Sequence, residues 1–84
     1  MLREKSNPFA LFLYNARLQR DWSLREVGSI TGLEPSYINR LERGERTNPS
    51  VSTIHALASA YEVDLLNLIE LVMRVLEEKK ENEK

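Results

Sequence analysis

The residues best equipped for chemistry lie in one short segment, PSYINRLER, from Pro35 to Arg43. On a helix turning about 100° per residue, with Ile38 at zero, Leu41 falls near roughly 300° and Glu42 near roughly 40°, which forms one inward face. Ser36, Arg40 and Arg43 then fall at roughly 160°, 200° and 140°, opposite that face, with Tyr37 and Asn39 on its flanks. A hydroxyl and two guanidiniums on one exposed helix face can hydrogen-bond base edges and clamp phosphates. Many charged helix faces are merely solvated, so this segment alone leaves the two readings evenly matched.

Positioning such a face requires a rigid support, and the residues before it supply one. From Leu24 to Arg43 the sequence LREVGSITGLEPSYINRLER reads as two short helices joined by a tight turn. Gly28 is small where the helices cross, and Gly32 suits a turn that needs positive φ, a conformation without steric cost for glycine. Leu24, Val27, Ile30 and Leu33 provide apolar contacts before and through the turn, and Ile38 and Leu41 provide them after it. The unit looks like a helix-turn-helix, whose second helix lies in the DNA major groove. Ser23, with Glu26 three residues later, forms a capping box whose helix N-terminus is a natural phosphate seat. Proline at Pro35 suits the first helical position, while Glu34 before it is a poor cap. Gly44 ends the helix, and Arg46, Thr47 and Asn48 in the loop after it can each donate to phosphate. A polar loop containing a turn accounts for that composition equally well.

SYINRLERGER, preceded by SLREVGSITGL and followed by NPSVSTIHALASAYEV, is similar to the Cro/CI-type (XRE) family of transcriptional regulators. The resemblance covers roughly residues 9 to 69. It implies an all-α, five-helix, lambda-repressor-like domain that binds operator DNA, commonly as a dimer, with the loop after the third helix running along the DNA backbone. It also implies that Glu42 pairs with Arg17 of the first helix as a structural ion pair, which removes both from the DNA contacts. Two departures stand out. Leu24 occupies a position where the family often carries a phosphate-clamping glutamine, and Asp21-Trp22 replaces a glycine-plus-aliphatic pair. Trp22 reads as a core anchor.

Composition narrows the alternatives. Eighty-four residues suit one small domain spanning 1–84, with a core from about 8 to 70, a helical extension over about 71–80 and a frayed tail to 84. With no cysteine there is no disulfide framework and no thiolate metal site. His55 is the lone histidine and projects away from the apolar face, so no metal and no cofactor are expected. Neither a nucleophile–base pair nor a phosphate loop is visible, so the chain reads as a binding protein and not an enzyme. No long apolar run or signal pattern occurs, and a soluble, cytoplasmic, nucleoid-associated protein is expected. The formal net charge of −1 gives nucleic-acid binding no general support. Charge is uneven, however: residues 1–50 carry eight Lys/Arg against six Asp/Glu, and residues 51–84 carry four against seven. The reading segment sits in the basic half.

The remaining helices frame this unit. Met1–Ser6 reads as a frayed polar arm. Asn7-Pro8 opens a first helix running to about Arg20, with Phe9, Phe12, Leu13 and Ala16 facing the core. Leu11, Tyr14 and Leu18 form a second apolar side that a small core does not need. Ser50 caps a fourth helix carrying Ile54, Leu57, Ala58 and Tyr61 inward, and Asp64 caps the fifth. Apolar residues on that last helix span an arc of roughly 220°, about twice what one core requires. The surplus, placed at Leu71, Val72, Val75 and Leu76, joins Leu11, Tyr14 and Leu18 as an expected homodimer interface. The alternative is that the two apolar surfaces satisfy each other within one chain. The expected function is a sequence-specific repressor that places helix 35–43 in the major groove of a palindromic operator on double-stranded DNA. A DNA-binding antitoxin, with a small protein partner on its last helix, and an interaction module without DNA binding are the competing readings.

Overall fold

Four of the helices begin with local chemistry that the sequence displays. The structure, a computed structural model, describes residues 7–82. Helix α1 spans Pro8–Gln19, α2 Leu24–Thr31, α3 Pro35–Glu42, α4 Val51–Tyr61 and α5 Leu65–Asn82. Asn7 caps α1 by accepting from the Ala10 N–H at 2.9 Å, and Ser50 caps α4 by accepting from the Thr53 N–H at 3.2 Å. Ser23 and Glu26 make the reciprocal capping box at 3.0 and 2.7 Å. Glu34 makes no side-chain cap bond, so α3 begins on the fixed φ of Pro35 alone. Gly32 ends α2 at φ +81°. Gly28 answers a separate constraint: a Cβ there would stand 2.9 Å from the Leu33 carbonyl oxygen and 3.2 Å from Pro35 Cγ. The turn therefore folds directly over Gly28, and any side chain would push α3 away from α2.

Phe9, Leu13 and Ala16 of α1 meet Val27, Ile38, Leu41, Ile54, Leu57, Ala58 and Tyr61 in one core that also takes in Leu68, Val72 and Val75 of α5. Phe12, Trp22, Leu24 and Leu33 are half-buried against it. Leu24, at the position where the family often carries glutamine, thus serves packing. Trp22 stacks on Tyr61 with ring centroids 5.9 Å apart, and Phe12 meets the same ring edge-on at 6.3 Å. Asp21 and Glu62 adopt φ +60° and +56°, a conformation that disfavours side chains with a Cβ. At Asp21 this explains why glycine would suit the turn.

Three expectations are corrected. Ile30 is 51% exposed and does not pack in the turn, because α2 buries the side carrying Val27 and Gly28. Val72 and Val75, expected at a dimer interface, lie in the chain's own core, which therefore extends past residue 70. Packing of α5 against α1 and α4 consumes that part of the surplus. Helix α5 also continues to Asn82, into the tail expected to fray. The arm over residues 1–6 and the last two residues lie outside the described residues. No helix of the described residues is long and apolar enough to cross a membrane.

Candidate nucleic-acid interface

Helix α3 has two faces of opposite character. Ile38, Leu41 and Glu42 are buried, while Ser36, Arg40 and Arg43 are exposed, with Tyr37 and Asn39 half-buried between them. The burial follows the helical projection residue by residue. What fixes the exposed face in space is the carboxylate on the buried one.

Glu42 is 2% exposed and accepts two hydrogen bonds from Arg17 of α1, from Nε at 2.8 Å and from Nη2 at 2.9 Å. This two-pronged geometry suits the planar guanidinium and fixes its plane. Arg17 Nη1 also donates to the Trp22 carbonyl at 3.1 Å, which ties the α1–α2 turn to the same group. The hydrogen bond to Glu42 is the main reason the guanidinium's pKa is raised above its ordinary value; desolvation opposes it and the Glu42 charge assists it. One arginine thereby joins α1, the turn before α2 and the end of α3. The buried carboxylate supports the exposed face without taking part in it.

A second arginine does comparable work at the back of the domain, and the sequence pattern had offered no sign of it. Arg20 donates from Nη1 to the Ala16 carbonyl at 3.0 Å and from Nη2 to the Tyr61 carbonyl at 2.8 Å, linking the ends of α1 and α4. Its guanidinium lies 5.8 Å from the Trp22 ring centroid and 5.3 Å from that of Tyr61. The Tyr61 hydroxyl is buried with no hydrogen-bond partner among the described residues. Its pKa is pushed up to about 12, chiefly by burial and next by the Glu42 charge, against the lowering effect of Arg17 and Arg20.

At the C-terminal end of α3 the chain folds back. Gly44 takes φ +79°, and the N–H groups of Glu45 and Arg46 both donate to the Arg40 carbonyl, at 2.9 and 3.3 Å. That closure places exposed Arg46 beside Arg40, with Thr47 half-buried and Asn48 exposed further along the loop. It also brings Glu45 against Arg43, at 3.1 Å between Nη2 and Oε2. This pair was not anticipated; its signal was an acid and a base two residues apart around a left-handed glycine. Ser23 is exposed at the start of α2, but the capping box puts the Glu26 carboxylate beside it, where a phosphate would sit.

On the far side, Leu11 and Leu18 of α1 are exposed, whereas Tyr14 is half-buried with the Arg17 guanidinium 5.7 Å from its ring centroid. On α5, Leu71 and Leu76 are half-buried, and the freely exposed apolar residues are Leu66 at 69% and Met73 at 48%. His55 is exposed, and no cluster of metal-binding side chains occurs among the described residues.

Residues 13–68 match the family model described as helix-turn-helix. The chain is 36% identical over 58 residues to the HTH-type transcriptional regulator DdrOP3 of Deinococcus deserti, covering 69% of this chain and 44% of that protein. It spans less than half the length of the curated regulators it matches. Among solved structures, the restriction-modification controller protein C.AhdI of Aeromonas hydrophila is 31% identical, with a TM-score of 0.67, covering 74% of this chain and 92% of that one. The biofilm master regulator SinR of Bacillus subtilis, solved in complex with DNA, shares the fold at 24% identity and a TM-score of 0.67, covering 73% of this chain and 97% of that one.

Proposed function

The chain belongs to the XRE-type helix-turn-helix family, and from that membership we propose that it is a sequence-specific transcriptional regulator, a repressor that occupies operator DNA through α3. One observation carries this reading: Ser36, Arg40 and Arg43 stand exposed on a helix whose opposite side is fixed by the buried Arg17–Glu42 pair. Arg40 lies near the middle of the exposed face and reads a base, since arginine can reach guanine O6 and N7 together. Ser36, Tyr37, Asn39 and Arg43 line the same groove-facing side. Arg46, Thr47 and Asn48 follow it along the loop and take phosphates, while Ser23, its hydroxyl and N–H engaged in the capping box with Glu26, brackets it from α2.

Two copies act together, joined through the final helices. The apolar residues that α5 leaves outside its own core are Leu66 and Met73, with half-buried Ile69 and Leu76 beside them. Spacings of three, four and three residues make a coiled-coil seam. This seam replaces the one expected at Val72 and Val75; Leu76 keeps its place, and Leu11, Tyr14 and Leu18 of α1 flank the pairing helices. A two-fold dimer presents its two α3 helices about 34 Å apart, so the operator is a palindrome with half-sites one helical turn, or a multiple of it, apart.

Selection of bound sequences from random DNA tests the reading. Arg40→Ala lowers operator affinity by ~1–3 kcal/mol and relaxes the motif at one position per half-site. Arg46→Ala weakens all sequences alike and lowers the salt slope by about one. Leu66→Glu with Met73→Glu yields a folded monomer with weak operator binding. An unchanged motif and affinity in Arg40→Ala would mean that α3 docks in another orientation.

A further inference from the structure

The reading face carries a charge that works against its proposed task. Arg43, Arg40 and Arg46 are the exposed cations on and just after α3, and Glu45 stands among them with its carboxylate 3.1 Å from Arg43. Nothing in the fold of the described residues requires an acid there. The backbone closure that places Glu45 uses only its N–H, donated to the Arg40 carbonyl, and the turn itself is made by Gly44. The position lies at the carbonyl end of α3, where the helix dipole disfavours negative charge. Arg43 is 61% and Glu45 48% exposed, so their attraction is screened and adds little to stability. A carboxylate that does little for the fold and sits poorly with the helix end has its main effect on whatever approaches Arg43.

Resting on the DNA-binding reading above, we infer that Glu45 restrains non-specific DNA binding by holding Arg43 away from phosphates. Binding to arbitrary sequence is almost wholly electrostatic, and each phosphate neutralised by a cation releases condensed counterions. While Arg43 is paired with Glu45, its charge is already compensated on the protein, and a phosphate gains little by replacing the carboxylate. Among the described residues, the face then offers Arg40 and Arg46 as its two uncommitted exposed guanidiniums. Operator binding depends less on this term, because base contacts from the middle of α3 contribute in addition. Glu45 is thus a specificity-determining residue that acts by limiting affinity for the wrong sequences.

The test compares wild type with Glu45→Gln, which keeps the side chain's shape and removes its charge. Binding to a random-sequence duplex and to the duplex selected by wild type is followed across a salt series. In Glu45→Gln, random-sequence affinity at low salt rises about two- to five-fold per bound subunit, the size of one exposed ion-pair effect, and the salt slope steepens by about 0.9 per subunit. The selected duplex gains less, so the ratio of selected to random affinity falls. Adding Arg43→Ala abolishes the gain. Should Glu45→Gln bind random DNA with unchanged slope, or more weakly, while wild type keeps its own salt dependence, Glu45 does not restrain Arg43. A wild-type response flat in salt would instead remove the DNA-binding reading itself.

Discussion

Two arginine–glutamate pairs flank α3, and their surroundings give them opposite roles. Arg17–Glu42 lies beneath the helix, two-pronged and close to fully buried on the acid's side. Arg43–Glu45 lies above the C-terminal end, held by a single contact between two exposed side chains. In the first, water is excluded from the acid, so losing Arg17 leaves a buried carboxylate without its partner, and losing Glu42 leaves Arg17 only the Trp22 carbonyl and the Tyr14 ring. In the second, water and salt already do most of what the partner does. The same two side-chain types therefore build a strut on one side of the helix and an adjustable electrostatic element on the other. Sequence spacing does not distinguish these roles. Burial does.

The sharpest way to break this contrast is to remove the buried pair. Arg17→Ala or Glu42→Ala is expected to cost ~3–5 kcal/mol, because the remaining group is left charged and largely desolvated. The double variant should cost clearly less than the sum of the two, and denaturant melts of all four proteins measure the difference. Strict additivity would show that the two groups act independently and that the strut is held by packing alone. Glu42→Gln keeps a hydrogen-bond acceptor for Arg17 and should fall between wild type and Glu42→Ala.

A smaller effect sharpens the comparison from the core side. Tyr61 contributes a buried hydroxyl near the Glu42 charge, and its pKa is raised from 10.0 to about 12. The folded state thus holds the phenol proton more tightly than the unfolded chain does. Stability from this group is full below about pH 10 and is lost as pH rises towards 12, to a limit of ~2–3 kcal/mol. Tyr61→Phe should remove that part of the alkaline destabilisation. At neutral pH it should cost little, because the hydroxyl has no partner to lose among the described residues. Melting temperatures of both proteins from pH 8 upward check this: the curves should run close together, then separate with Tyr61→Phe the more stable. Parallel curves would place the phenol in a wetter site.

Much of the fold was legible because local and periodic signals agreed. The capping box at Ser23, the prolines at Pro8 and Pro35, and the positive φ of Gly32 each carry their reason in the residue type. The split of α3 into a buried Ile38–Leu41–Glu42 side and an exposed Ser36–Arg40–Arg43 side followed from helical geometry alone. The errors came where the outcome depends on a neighbour's position. Ile30 is apolar and close to the turn, yet α2 rolls it outward. On α5 nearly every inward candidate is apolar, so periodicity gave an arc but could not say which part α1 and α4 cover. They cover Leu68, Val72 and Val75 and leave Leu66 and Met73 outside. Arg20 was missed because its partners are backbone carbonyls, of Ala16 and Tyr61, which residue type does not announce.

The smallest effect is the stability contribution of the exposed pair, and it decides whether the contrast between the two pairs is real. A cycle of Arg43→Ala, Glu45→Ala and the double variant is expected to yield a coupling of ~0.2–1 kcal/mol. Raising the salt to about 1 M shortens the screening length to about 3 Å, comparable with the pair's own separation, and should largely remove that coupling. The Arg17–Glu42 coupling should survive the same treatment, since salt is excluded with the water around Glu42. Salt therefore separates the pairs more cleanly than magnitude does, because side-chain packing contributes to every alanine substitution but responds weakly to ionic strength. A coupling between Arg43 and Glu45 that stayed above 1 kcal/mol in high salt would make this pair a second strut. Its carboxylate would then be explained by the fold of the α3–α4 turn, and Arg43 would be too firmly held to exchange Glu45 for a phosphate.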